Sequence, residues 1–256
     1  MARVDTVLIT GASSGIGLEM AHVWAREGYN VVGIALDADR LDAAMTGLTH
    51  EYGVKAWSLP LDLTHANAVD RIEAFLKKEK LTIHTLINNA GFGVYGDFVS
   101  TRWEDEQELL ELNVVRLTEL TKYFARAMVR RGSGEILNVA SIAAFFPGVH
   151  MDTYYASKAY VLSFSLAIAE ELRPKGVQVS ILCPGPTRTG FETRAHATRS
   201  RLFGRAGDAR KVAEVAFTGV KKGQLIIIPG WRNRSNIFLS RFVPRKWLAP
   251  LVRRAD

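Results

Sequence analysis

Seven short apolar runs punctuate this chain, and longer amphipathic stretches lie between nearly all of them. The runs are VDTVLIT (4–10), NVVGIA (30–35), VKAWSLPL (54–61), IHTLIN (83–88), GEILNVA (134–140), VQVSILC (177–183) and QLIIIP (224–229), most of them rich in β-branched residues. They lack the strict alternation of strands with one wet face, so they read as strands covered on both faces. Helical patterns fall near 16–27, 39–52, 65–80, 104–131, 154–173 and 209–222. Strands alternating with helices require βαβ units and a parallel sheet, and right-handed crossovers place helices on both of its faces. The expected fold is therefore α/β, a doubly wound seven-stranded parallel sheet forming a single domain over 1–256. A basic amphipathic tail follows at about 231–256.

The stretch TGASSGIG (10–17) sits where the first strand hands over to the first helix. Gly11, Gly15 and Gly17 permit a tight turn and let the backbone approach a pyrophosphate. The helix N-terminus then offers unpaired N–H groups and a partial positive charge. At that position the loop points to a dinucleotide site of the Rossmann type. An acid at the end of the second strand would bond a ribose 2′-OH and favour NAD, whereas a basic residue would favour NADP. That strand ends in Ala35, with Asp37 and Arg40 just beyond.

Composition narrows the function classes. No run of 18 apolar residues exists and the N-terminus carries no apolar signal core, so neither a spanning helix nor secretion is expected. The single cysteine, Cys183, cannot form an internal disulfide, fits a reducing cytoplasm, and reads as a buried structural thiol. Six scattered histidines show no ligand spacing, so no metal site is expected. Residues 1–187 hold 17 Lys/Arg against 22 Asp/Glu, while residues 188–256 hold 16 against 4. The basic C-terminal segment reads either as a solvated face or as a surface that meets phosphates or acidic headgroups. Nucleic acid is not an expected partner, because the basic residues form no recognised module.

In its ordered motifs the chain resembles the short-chain dehydrogenase/reductase family, over nearly its whole length. TGASSGIG looks like that family's cofactor loop, with Gly11, Ser13, Ser14, Gly15, Ile16 and Gly17 along it. LDLT resembles its adenine-side segment, with Asp62 set to accept from the adenine amine and Leu63 beside it. NNAG looks like its motif after the fourth strand, steadying the sheet and lining the cofactor with Asn89, Ala90 and Gly91. Asn113, Ser141, Tyr154 and Lys158 fall on its catalytic tetrad. PGPTRT resembles its nicotinamide-side segment, through Pro184, Gly185, the Thr187 backbone and the Thr189 hydroxyl. The resemblance implies strand order 3-2-1-4-5-6-7 and hydride transfer between NAD(H) or NADP(H) and a carbonyl/alcohol pair. It also implies a homodimer or homotetramer. Members preferring NAD usually carry an acid where this chain has Ala35, which leans the expectation to NADP, with Arg40 as a phosphate contact; Asp37 points the other way.

The residue types suit that chemistry. A tyrosine with a pKa of about 10 needs roughly 4 kcal/mol to fall by ~3 units. An ammonium about 4 Å away supplies a comparable amount at an effective dielectric of ~20. Tyr154 and Lys158 are four apart, on one face of a helix, but Tyr155 is three from the same lysine, so spacing leaves both open. The family pattern Y-x-x-x-K selects Tyr154 as general acid/base and leaves Tyr155 to packing. Ser141, just beyond a strand's carboxyl end, can donate to a substrate oxygen. By resemblance, Lys158 also bonds the nicotinamide ribose, and Asn113 links it to solvent through a water. A different-class alternative is a catalytically idle regulator that senses the dinucleotide.

Phe145, Phe146, His150 and Phe191 are candidates for an apolar pocket wall, which suits a small-molecule hydrophobic carbonyl or alcohol. Arg188, Arg194, Arg199, Arg201 and Arg205 read as a solvated flap or as steering for an anionic substrate. In the tail, apolar residues from Ile237 to Val252 alternate with Arg and Lys, and Pro244 and Pro250 are expected to break it into short pieces. That composition suits either packing on the body or a partner subunit, or contact with a membrane surface that would make a cytoplasmic protein peripheral to it.

Overall fold

The structure, a computed structural model, describes residues 5–191 and 206–255. All seven strands are parallel, in the order β3-β2-β1-β4-β5-β6-β7. They are β1 (Thr6–Thr10), β2 (Asn30–Ala35), β3 (Ala56–Pro60), β4 (Thr85–Asn88), β5 (Gly134–Val139), β6 (Val177–Leu182) and β7 (Ile226–Ile227). The helices are α1 (Gly15–Arg26), α2 (Ala38–Tyr52), α3 (Ala68–Lys78), α4 (Trp103–Leu110), α5 (Leu117–Arg131), α6 (Asp152–Leu172), α7 (Ala209–Lys221), α8 (Trp231–Ser240) and α9 (Arg245–Ala255).

Both sheet faces are covered, which is why the strands read as near-continuous apolar runs. Val7 and Ile9 turn to one face, where α1, α2 and α7 pack, and Leu8 turns to the other, under α3, α5 and α6. β1 pairs with both β2 and β4, so the strand order reverses there and a crevice opens at the carboxyl edge. A buried polar chain crosses β4 and β5 beneath it. Asn88 Nδ2 donates to Thr121 Oγ1 and Asn138 Oδ1, each at 2.9 Å, and Asn138 Nδ2 donates to Ser165 Oγ at 2.9 Å. It ties the middle of the sheet to α5 and α6, and every bond lies in low dielectric, where an unpaired partner is costly.

Two sequence expectations are corrected. The helical pattern at 104–131 is not one helix: a π-helical segment, Glu111–Arg116, separates α4 from α5. The wider turn brings both Asn113 and Arg116 into the body, where Arg116 Nε donates to Leu63 O at 2.7 Å. Pro250 does not break the tail; it lies inside α9, and only Pro244 separates α8 from α9. Strands β3, β4 and β7 are shorter than their apolar runs, although flanking residues such as Lys55, Leu61, His84 and Leu225 still bond to the neighbouring strand.

Candidate active site

The first turn of the site follows from its glycines. Gly11 and Gly15 hold φ of +70° and +55°, the left-handed region that side chains avoid. The turn is pinned from β4: Asn89 N and Ala90 N both donate to Thr10 Oγ1 at 2.9 Å, and Asn89 Nδ2 donates to Thr10 O at 2.9 Å. Gly17 lies under the turn, where a Cβ would fall 2.1 Å from Gly11 O. Ser14 occupies the N-cap of α1 in extended backbone and makes no side-chain cap bond, so the first N–H groups of α1 have no cap from that side chain.

From this turn a cleft of about 820 Å³ runs along the carboxyl edge. Gly11, Ser13, Ser14, Gly15, Ile16, Arg40, Asp62, Leu63, Asn89, Ala90, Gly91, Tyr154, Lys158, Pro184 and Thr189 line it. The cradle fits such a group: a glycine turn and helix N-terminus stand at one end, a tyrosine and a lysine at the other. Gly17, Gly185 and Thr187 are not on its wall. Gly17 packs against Gly11 O, Gly185 lies against Asn233 of α8, and the Thr187 hydroxyl donates to Gly185 O at 2.9 Å. Thr189 crosses the mouth, its Cβ 2.8 Å from where a Cβ on Gly15 would sit.

At the end of β2, Ala35 faces the cleft with no carboxylate. Asp37 is the N-cap of α2: Oδ1 accepts from Arg40 N at 3.1 Å, and Oδ2 lies 3.3 Å from Arg40 Nε. Asp62 Oδ1 accepts from Thr64 N at 2.8 Å and Thr64 Oγ1 at 2.7 Å, which fixes the carboxylate at the cleft wall.

The four tetrad residues come together across β5, α6 and the π segment. Ser141 caps a 3-10 turn, Ile142–Phe145, accepting from Ala143 N at 3.1 Å; its hydroxyl donates to Pro184 O at 3.4 Å and lies close enough to the Tyr154 phenol to lower its pKa. Lys158 lies one turn along α6 with Nζ 5.7 Å from the Tyr154 ring centroid, and donates to Val139 O at 3.0 Å. Asn113 is fully buried behind Gly91. Its Nδ2 donates to Phe92 O at 2.9 Å and Ser157 Oγ at 3.2 Å, and its Oδ1 accepts from Phe92 N at 3.2 Å. A Cβ on Gly91 would meet Asn113 Oδ1 at 2.8 Å and Lys158 Nζ at 3.4 Å, so glycine lets these two groups approach one another.

The electrostatics differ from the expectation of a phenol pulled down by its lysine. Burial pushes Tyr154 well above its ordinary value; the Ser141 hydrogen bond pulls the other way, and Tyr155 adds to the rise. Burial also lowers Lys158, to about 8, against a small opposing effect of Cys183. Desolvation sets the direction of both shifts. Cys183 is buried and pushed up to about 12, an inert packing thiol.

Tyr155 faces elsewhere. Its ring fills the space beside Gly148, where a Cβ would meet it at 2.2 Å, and Tyr154 rather than Tyr155 lines the cleft. Of the four candidate pocket residues, only Phe191 is on the wall, 5.3 Å from the Tyr154 ring. Phe145 packs with Val161 and Cys183, and His150 pairs with Asp97 at 3.1 Å. Arg194, Arg199, Arg201 and Arg205 lie outside the described residues. Thr10, Val139 and Ser157 went unanticipated. Thr10 could have been suspected as the hydroxyl opening the glycine turn, but the Val139 carbonyl leaves no mark in a sequence.

Residues 5–200 match the family model for short chain dehydrogenase. A very-long-chain 3-oxoacyl-CoA reductase of Phaeosphaeria nodorum is 31% identical over 273 residues, covering 98% of this chain and 74% of that one. A short-chain dehydrogenase from Sphingobium yanoikuyae, solved in complex with NADPH, is 35% identical with a TM-score of 0.84 over 93% of both chains. A short chain dehydrogenase/reductase from Burkholderia phymatum, solved in complex with NAD, is 25% identical with a TM-score of 0.84, also over 93% of both.

Proposed function

The chain belongs to the short-chain dehydrogenase/reductase family, and from that premise we propose that it is an NADPH-dependent reductase of bulky apolar ketones, with Tyr154 as proton donor. The observation that carries this reading is the Tyr154 phenol on the wall of the same cleft as the glycine turn and Lys158, with Ser141 close to it at the end of β5. Ketone reduction needs a hydride on carbon and a proton on oxygen. The nicotinamide supplies the hydride when bound. The Tyr154 O–H supplies the proton, and the Ser141 hydroxyl stabilises charge on the same oxygen. Lys158 would hold the ribose side of the cofactor, and the proton that Tyr154 gives up would be replaced from water by way of Asn113 and the Lys158 ammonium.

Phe191 on the cleft wall, 5.3 Å from the Tyr154 ring and backed by Met151 and Tyr95 in the same cluster, supports an apolar substrate. The name of the Phaeosphaeria relative supports a ketone carried on a long chain. For the cofactor, the supporting facts are the missing carboxylate at Ala35, the commitment of Asp37 to the α2 cap, and Arg40 on the cleft wall. Rates with NADPH and NADH against ketones of increasing bulk test the reading. NADPH is expected to be preferred at least about tenfold in kcat/KM, and Arg40→Ala to remove most of that preference. A preference for NADH overturns the cofactor assignment, and no turnover with any carbonyl in either cofactor leaves a dinucleotide sensor instead.

A further inference from the structure

Helix α8 meets the body through one face. Asn233 packs against Gly185 and donates to Pro229 O at 2.7 Å, and one turn on Ile237 is 4% exposed. At 100° per residue, Trp231 and Phe238 fall within about 20° of each other on the roughly opposite face. They are 73% and 56% exposed. Phe242, just beyond α8 and 73% exposed, packs its ring 5.4 Å from that of Phe238 and extends the stripe. In α9, Trp247 and Leu251 lie four residues apart on one face and are both exposed. A helix held by one side that turns its aromatics outward is not burying them in its own fold.

The charges identify the occupant. From Trp231 to Ala255 the sequence holds seven Arg or Lys and no Asp or Glu. A symmetric contact with a second copy would set this charge against itself. An anionic lipid surface satisfies both features, since indole and phenyl rings settle at headgroup depth while the flanking cations meet the phosphates. Among the described residues no helix is long and apolar enough to cross a membrane, so the tail lies on the surface. We propose that α8 and α9 form an interfacial anchor that docks this chain on bilayers rich in anionic headgroups. Because α8 packs on Gly185 and on the Ile142–Phe145 turn, both at the carboxyl edge of the sheet, the docked surface lies beside the catalytic cleft. The anchor does not depend on which reaction the cleft performs.

Co-sedimentation of the full chain with vesicles tests this, using phosphatidylcholine alone and phosphatidylcholine with roughly 30% phosphatidylserine. Partition onto the anionic vesicles is expected to exceed that onto neutral ones by at least about tenfold and to fall severalfold as salt is raised. The triple variant Trp231→Ser, Phe238→Ser, Phe242→Ser should lose most of that binding. So should Arg241→Gln, Arg245→Gln, Lys246→Gln, whose side chains are exposed and leave the fold untouched. Both should keep the wild-type melting temperature. Equal partition onto the two vesicle types, or wild-type binding by either variant, overturns the proposal. So does an aromatic variant that loses self-association while the wild type ignores vesicles, because the stripe would then belong to a second copy.

Discussion

Replacing Gly17 with alanine should damage the site from beneath, from a position that is not itself on the cleft wall. The added Cβ would stand 2.1 Å from Gly11 O and 2.5 Å from Asn89 Nδ2. A carbon in comfortable contact needs about 3.5 Å, so the first turn of α1 must recede by roughly 1 Å. Neither neighbour can swing aside. Gly11 is held by its N–H on Ile34 O at 2.7 Å, and Asn89 by its amide on Thr10 O at 2.9 Å. The helix cannot easily tilt either, because Met20, Ala21 and Trp24 are wholly buried. Overpacking costs about 1–3 kcal/mol and a weakened buried hydrogen bond about 1 more, giving roughly 2–4 kcal/mol in all. For a chain of this size that lowers Tm by about 4–16 °C. A displacement of that size at a phosphate-binding helix end should weaken NADPH binding on the order of 100-fold. Gly47→Ala is the control: it lies within α2 with nothing within 4 Å of its Cβ, so it should stabilise by about 0.5–1 kcal/mol and leave binding alone. Thermal melts and a fluorescence titration with NADPH read both. A Gly17→Ala protein that melts and binds like the wild type would refute the steric reasoning.

Lys158→Met should change stability in a pH-dependent way. The folded pKa of about 8 lies below the ordinary 10.5, so burying the ammonium penalises folding fully below pH 8, and the penalty fades as pH rises from 8 toward 10.5. The methionine variant should gain on the wild type by roughly 2–4 kcal/mol at pH 7, less the lost bond to Val139 O, and that advantage should shrink by pH 10 in denaturant titrations; an advantage independent of pH would contradict the shift. Asn113→Ala removes the Asn113 bonds to the Phe92 N–H and C=O and opens a cavity, so a loss of about 2–4 kcal/mol in the same titrations is expected. Wild-type stability in that variant would show that the π segment, rather than the amide, holds the loop.

The parts of this fold that were legible in the sequence are those set by local pattern. Strands covered on both faces leave β-branched runs, and the turn after β1 leaves its glycines, so topology and most of the cleft wall could be anticipated. What escaped depends on contacts between residues distant in sequence. Asn113 was placed in an unbroken helix because periodicity does not register one extra residue in a turn, and that widening is what aims it at Phe92 and Ser157. The Tyr154 phenol was expected to fall toward neutrality because spacing brings Lys158 near it. Spacing carries no information on burial, and burial sets the direction of the shift. Pro250 was read as a break, yet α9 runs through it. The bare Cα of Gly185 also lets Asn233 of α8 approach, a contact no local pattern announces.

Single-turnover reduction of a ketone by Tyr154→Phe, beside Tyr155→Phe, tests the central claim most directly. Loss of the phenolic proton should slow the Tyr154 variant by about 10²–10⁴-fold while NADPH affinity stays within a few-fold of wild type, and the Tyr155 variant should keep most of its rate. A Tyr154→Phe protein that turns over at near wild-type rate, with Tyr155→Phe inactive, would contradict it.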